Sequence, residues 1–314
     1  MIEETSELSQ YVPGFVANLN LAPQQTDTKL LGAVMSDLSY GVKGEMFNAD
    51  DVHETEPEDV QTRVADTPDK FIGATRRVGF FSEFHDSAWF DKVDEVKEIT
   101  DPTSTKMASL MAGLNRKRDQ RIYQAGLGNA FEKPDNTDTF TTVPLPAGQI
   151  IAANDVSYAH QDEVVPGAGA DYGLGIGKLI HAGLLLDESE VEGERFLLYS
   201  SKQKADLLRT TPATNRFYTE VQALNAGKIN QFLGFTFIQM ATARMTRAVA
   251  LSGAKRKCMA WVKPALVYKG RSITQASIAI RPDKSHTPQA YYKAQHGASR
   301  RYDKGVVEID CTEV

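Results

Sequence analysis

The chain is short of most residues on which dedicated chemistry depends. Its 314 residues include two cysteines, Cys258 and Cys311, with no CxxC and no Cys/His spacing, which excludes a zinc knuckle or redox dithiol and predicts two free thiols in a reducing cytosol. Six histidines, His53, His85, His160, His181, His286 and His296, are dispersed without an HExxH or any pair at metal spacing. No run approaches the roughly 20 apolar residues that cross a bilayer, and the opening MIEETSELSQ is polar and acidic, so the expectation is a cytoplasmic chain with no membrane partner. A basic excess is also missing. The 35 Lys and Arg stand against 41 Asp and Glu, a net charge of -6, which does not suit general nucleic-acid adhesion because such binding needs cations that displace counterions from phosphate.

What is present is ordinary in amount. Hydrophobic residues at 41% and charged residues at 24% describe a folded chain with ample interior for a core, as one large domain or two ordinary ones. No repeat at a fixed period occurs.

Motifs that resemble catalytic signatures fail on inspection. In DYGLGIGKL, Tyr172 stands where a P-loop needs its first glycine, Leu179 where it needs Ser or Thr, and Lys178 where a dinucleotide fingerprint needs glycine. The carboxylate pairs Asp50 with Asp51 and Asp187 with Glu188 fall in turn-like stretches, where capping and solvation account for them. Ser200 and Ser201 lie outside any GxSxG elbow, and Ser201 fits a helix N-cap. No catalytic, cofactor-binding or metal-ligating residue is therefore assigned, no cofactor is expected, and the chain reads as not an enzyme.

Periodicity supplies the elements. Residues 1–25 have turn formers and no period, as in an extended arm that needs a partner surface. From Thr26, the spacing of Leu30, Leu31, Val34 and Leu38 predicts an amphipathic helix capped by Thr26 or Asp27 and ended by Gly41 to Gly44. NADDVHETEPEDV, at 48–60, reads as a solvated acidic loop. Residues 71–99 are aromatic and β-branched and predict a long hairpin turning near His85 to Ser87, with Val93, Val96 and Ile99 on the return limb. Such a ribbon is poorly stable alone in water.

DPTSTKMASLMAGLNRKRDQRIYQAGLG, at 101–128, predicts one long helix with Asp101 as N-cap, Pro102 in the first turn and Gly126 with Gly128 as stop. Its stripe is Met107, Leu110, Met111, Leu114, Ile122 and Ala125, with a wider step at Arg118. After a loop-rich stretch at 129–173 comes an α/β alternation: a helix at 175–186, a strand at 196–200, a helix at 201–210 and a strand at 232–240. Four β-rich stretches close the chain, CMAWVKPALVYKG, SITQASIAI, AYYKAQHGASRRY and GVVEIDC, the last two joined by the turn Asp303-Lys304-Gly305.

The knot Arg116, Lys117, Arg118, Asp119 and Arg121 in the long helix allows three readings. It could grip nucleic acid, face solvent, or meet the carboxylates of a neighbouring copy, since Arg favours planar bidentate pairing and the chain offers many acidic loops. Framework is the reading preferred.

The order of these elements resembles the major capsid proteins of tailed bacteriophages, with their Hong Kong 97-type fold. The likeness rests on QQTDTKL (24–30), RVADTP (63–68), ATRRVGFF (74–81), the 101–128 helix, KLIHAGLLLDESEVEGERFLLYSSKQKADLL (178–208), LNAGKINQFLGFTFI (224–238) and GASRRYDKGVVEID (297–310). It implies an α+β fold with an N-terminal arm and short helix (1–59), an extension loop (60–99) and a peripheral domain with its spine helix (100–144). An axial domain (145–240) and a β-rich return to the peripheral domain (241–314) would complete it.

The function implied is a self-assembling shell of hexamers and pentamers enclosing double-stranded DNA through weak non-specific contacts, in the virion and, during assembly, in host cytoplasm. The arm is too short for a scaffolding segment, so a separate scaffolding protein is implied, together with a portal. No self-crosslinking lysine and asparagine pair can be matched. The alternatives are an encapsulin-like compartment on the same fold and a cytosolic α/β enzyme.

Overall fold

The computed structural model describes residues 24–37, 44–60, 62–63, 67, 69–90, 102–133, 139–159, 169–210 and 231–313. In chain order the strands are β1 (Met35–Asp37), β2 (Met46–Val52), β3 (Ala74–Phe80), β4 (Ser82–Trp89), β5 (Ala130–Glu132), β6 (Thr141–Val143), β7 (Ile150–Ile151), β8 (Arg195–Ser200), β9 (Gln231–Phe232), β10 (Phe235–Met240), β11 (Lys255–Val262), β12 (Leu266–Arg281), β13 (Thr287–Arg300) and β14 (Val306–Thr312). The helices are α1 (Pro102–Leu127), α2 (Ile176–Asp187), α3 (Ser201–Thr210) and α4 (Thr242–Ala248). Three sheets result, ordered β1-β12-β13-β4, β7-β14-β11-β8-β10-β9 and β2-β3-β5-β6.

The described residues fall into two compact units, one drawn from those within 24–27, 84–116 and 273–293, the other from those within 28–83, 117–272 and 294–313. In the first unit the amide of Phe90 donates to Pro288 O at 2.9 Å, and Tyr292 is buried with its hydroxyl directed at Leu110 O. Arg116 ties down the approach to the helix, donating to Gln24 Oε1 at 2.7 Å and Gln25 O at 3.0 Å.

The second unit is built on the six-stranded sheet. β8 and β10 run parallel in register from Phe235↔Arg195 to Met240↔Ser200, while β11 pairs antiparallel with both β8 and β14. Both faces are covered, so the strands read as nearly continuous apolar runs. On one face Leu197, Tyr199, Cys258, Ala260 and Val262 pack with Leu179, Ala182 and Leu186 of α2. On the other, Phe196, Leu198, Met259 and Trp261 pack with Ile122 and Tyr123 of α1 and with Met245 of α4.

The predicted alternation 175–240 is found, with a tight turn at Leu233-Gly234 separating β9 from β10. Other expectations change. Over the described residues 26–37 there is no amphipathic helix: a single 3-10 turn at Leu31–Ala33 is followed by β1, parallel to β12. The cause is remote. The amides of Lys29 and Leu30 donate to the Asp119 carboxylate at 3.0 and 3.1 Å, which anchors the segment, while Ala33 O accepts from Trp261 Nε1 at 2.8 Å and Met35–Asp37 pair with Val267–Lys269, so helical bonding is replaced by bonds to other elements. Leu38 and Gly41 lie outside the described residues, as do residues 1–23, Val93, Val96, Ile99, Asp101, Pro134, His160 and Pro166.

The acidic stretch 48–60 is a loop only after Val52; before it lies β2, whose Asp50 meets Arg76 at 2.9 Å and whose Asp51 meets Arg301 at 2.8 Å. Paired carboxylates need no solvated loop. β2 takes β3 as its antiparallel partner, from Met46↔Phe80 to Val52↔Ala74. So the predicted hairpin does not turn at His85 to Ser87. The chain changes sheets at Phe81, whose amide donates to Glu45 O at 3.1 Å, and β4 belongs to another sheet. The turn Asp303-Lys304-Gly305 likewise joins β13 to β14 across two sheets, and β8 and β10 share a sheet with β11 and β14 on either side of the expected boundary at 240.

α1 holds the predicted span, but its buried stripe differs: Met107 and Met111 are exposed, and the wider step is filled by Asp119, 1% exposed. Its end is capped by Arg300, fully buried, which donates to Gly126 O at 3.2 Å and Gly128 O at 2.7 Å, satisfying carbonyls that no helical amide reaches.

Candidate assembly surfaces

The residues that could carry chemistry are occupied by structure. Lys178, 1% exposed, donates from Nζ to Ala153 O, Tyr172 O and Asp310 O, each at 2.9 Å, and lies 3.9 Å from the centre of the Tyr172 ring. Burial lowers its ammonium below the usual range, and the three carbonyls use all its donors. Gly177 is needed because Ala159 backbone crosses where a Cβ would stand, at 2.6 Å. The glycine-lysine run is thus a clamp between loop and strand, with no opening for phosphate.

Ser200 is fully buried, accepts from the Lys202 amide at 3.2 Å and joins Gln203 and Glu313, so Ser200, one residue earlier than expected, caps α3. Burial would raise the Glu313 carboxyl, but hydrogen bonds from Arg256 and Gln203 and the Arg256 charge hold it below the usual carboxylate range. Asp155 pairs with His181 at 2.5 Å. Asp187 pairs with Arg195. Cys258 and Cys311 are free, buried and closer than their sequence positions suggest, because Cys258 faces Ile309 and Cys311 faces Arg256 across β11 and β14. No group of three or more His, Cys, Asp or Glu residues able to hold a metal occurs among the described residues.

What remains is surface. In the second unit, the connection between β2 and β3 has no regular structure at 53–60 and 69–73, and it exposes Val52, Val60, Ile72 and Phe71, the last at 98%. Its base is fixed by His53, whose amide donates to Gly73 O at 2.9 Å, and Lys70 meets Glu58 at 2.9 Å. In the first unit, Trp89, Met107 and Met111 are exposed, and the distal part of β12 shows Ile278 at 66% and Ile280 at 60%. Exposed aliphatic and aromatic side chains in this number mark contact surfaces.

The second unit also separates charge. Between α2 and β8 the chain reads DESEVEGE, with Asp187, Glu188, Glu190, Glu192 and Glu194 all exposed beside a groove of about 630 Å³ floored by Leu179, Ile180, Leu184 and Leu233. Leu233 holds φ at 49°, a left-handed backbone that leucine rarely adopts. Beyond the opposite ends of β8 and β10 lie Lys202, Arg244 and Arg247. Lys29 joins them by donating to Gln239 O at 2.7 Å, and Gln120 of α1 reaches Arg247 O at 3.2 Å, which brings Lys117 and Arg121 alongside. Burial, then the Arg121 charge, lowers the Lys117 ammonium below its ordinary range.

Apolar side chains thus stay exposed on the β2–β3 connection and, in the other unit, on β4, α1 and β12. The chain belongs to the phage capsid protein family, whose profile matches residues 8–313. It is a major capsid protein with the Hong Kong 97-type α+β fold, and its place is the virion shell.

Similar solved structures include one from Mycobacterium phage Che8, 14% identical, with a TM-score of 0.65 over 95% of this chain and 97% of that one. The capsid of Ralstonia phage GP4 is 10% identical, with a TM-score of 0.69 over 97% and 96%. The capsid of the cyanophage P-SCSP1u is 14% identical, with a TM-score of 0.67 over 98% and 94%. No curated protein matches the chain. The encapsulin and enzyme alternatives are not favoured by the family or by these capsid structures.

Proposed function

We propose that copies of this chain build the hexamers and pentamers of an icosahedral head, with a separate scaffolding protein and a portal, in host cytoplasm, around double-stranded DNA held by weak non-specific contacts. In this reading the chain performs no catalysis. The ribbon β2–β3 with its tip at 53–73 is the extension loop, in place of the expected 60–99, and α1 is the spine of the peripheral domain. α2, β8, α3 and β10 belong to the axial domain.

The observation that carries the proposal is the exposure of Phe71, at 98%, with Val52, Val60 and Ile72 on one projecting connection. Such groups gain burial only on another molecule, which couples their ordering to assembly. Replacing residues 54–72 by a two-residue Asn-Gly turn keeps β2 and β3 paired, because the Val52↔Ala74 register is retained. The shortened chain is expected to stay folded and soluble and to form no shells under conditions in which the full chain does. Normal shells from it, seen by electron microscopy, would remove this connection from the assembly surface.

A further inference from the structure

The acidic loop and the basic cluster of the second unit lie beyond opposite ends of the same strand. β8 begins at Arg195, directly after the acidic run, and ends at Ser200, two residues before Lys202. Its parallel neighbour β10 ends level with it, at Met240↔Ser200, and α4 with Arg244 and Arg247 follows. Six residues of strand at about 3.3 Å each hold the two charge sets on the order of 20 Å apart, facing away from each other.

Among the described residues, neither set is fully neutralised within the subunit. At the acidic end Arg195 meets Asp187 and Lys263 meets Glu194, leaving Glu188, Glu190 and Glu192 with no ion pair among the described residues. At the basic end Asp119 is buried and taken up by the Lys29 and Leu30 amides, and Asp206, one turn after Lys202 on α3, is shared with Arg209.

Two unlike surfaces on opposite ends of one rigid sheet are what a heterologous, head-to-tail contact requires, and repetition of such a contact closes a ring. We propose that a second copy of this chain docks its basic cluster, Lys202, Arg244 and Arg247 with Lys117 and Arg121, on the acidic loop Asp187 to Glu194 of its neighbour, and that this contact sets the register between subunits around a capsomer. The inference rests on the shell-forming function proposed above and names one contact within it. Charge complementarity supplies register and choice of partner, while the apolar groove beside the acidic loop, walled by the strained Leu233, supplies area that excludes water.

Charge reversal tests the contact. Lys202→Glu, Arg244→Glu and Arg247→Glu together reverse one end, taking its five cations to two cations and three anions, and Lys202→Glu puts an anion in the first turn of α3, where the helix dipole favours it. Glu188→Lys, Glu190→Lys and Glu192→Lys together reverse the other. Each variant is expected to fold, with an unchanged circular dichroism spectrum, and to lose capsomers and shells by about tenfold or more in sedimentation. The chain carrying all six changes gives the two ends opposite signs again, exchanged, and is expected to regain them.

Wild-type levels of assembly in both partial variants would overturn the contact, as would no recovery in the fully swapped chain while it remains folded. Normal shells that fail only to retain DNA when the basic end is reversed would also overturn it, in favour of a phosphate-binding surface. A full-length wild-type chain that stays monomeric would defeat the shell function itself, and with it this contact; indifferent variants alongside wild-type shells defeat the contact alone.

Discussion

Asp119 anchors a segment 90 residues before it in sequence. By accepting the amides of Lys29 and Leu30, which the first turn of a helix would leave unbonded in any case, it anchors the segment, while the bond from Trp261 to Ala33 O and the pairing of Met35–Asp37 with β12 take it away from the helix that the leucine spacing suits. Local pattern could not reveal this. A lone carboxylate among four cations reads as a solvated residue, and only the wider step in the apolar stripe of α1, which Asp119 fills, hinted at its burial. A second buried polar group yields a pH dependence. His296 is 1% exposed, sits 2.6 Å from the Tyr268 hydroxyl, and is lowered from 6.5 to about 4 by burial first and by the Arg118 charge second. Between pH 6.5 and 4 the unfolded chain binds a proton that the folded chain refuses, so stability falls as pH drops through that window and this group costs nothing further below it. The loss is on the order of 3 kcal/mol at most. Urea midpoints of the unassembled subunit measured from pH 7 to pH 4 should show it, and His296→Gln should flatten that part of the profile.

At the scale of elements, close approach explains why two glycines flank Phe47. A Cβ on Gly79 would stand 2.1 Å from Phe47 Cζ, and one on Gly297 would stand 2.6 Å from Phe47 Cε1. The ring therefore lies where strand backbones carry no side chain, tilted against Phe81 at 5.3 Å between centroids. Gly79→Ala is expected to push the ring out and cost about 1–3 kcal/mol, read as a lowered midpoint in denaturant. The elements that were legible in advance are those whose local and tertiary preferences agree. α2, β8, α3 and β10 lie in a sheet buried on both faces, where apolar runs and breaks coincide with element boundaries. Strand partners were not legible. The sequence at 71–89 suits extended structure, but nothing within it shows that β3 pairs with β2, 22 or more residues earlier at each register position, or that β4 joins another sheet. Of the assembly surfaces, the ribbon's apolar content was visible in composition. The charge separation was not, because β8 had to be placed before its two ends could be compared.

For the whole molecule the balance of exposure argues that the subunit is incomplete alone. Burying Val52, Val60, Phe71 and Ile72 would contribute on the order of 5 kcal/mol per copy before ordering costs, modest for one contact and large once repeated around a closed shell. Resemblance in the order of elements was enough to place the chain in its family, since connectivity of this kind survives at 10–14% identity to the capsid structures compared. Amide hydrogen exchange across residues 53–73, compared between the unassembled subunit and the shell, bears most directly on the central claim that this connection finds its burial on identical copies. Protection that appears only in the shell, with the amides of β8 and β11 equally slow in both states, is the predicted result. Equal exchange of the 53–73 amides in both states would contradict it.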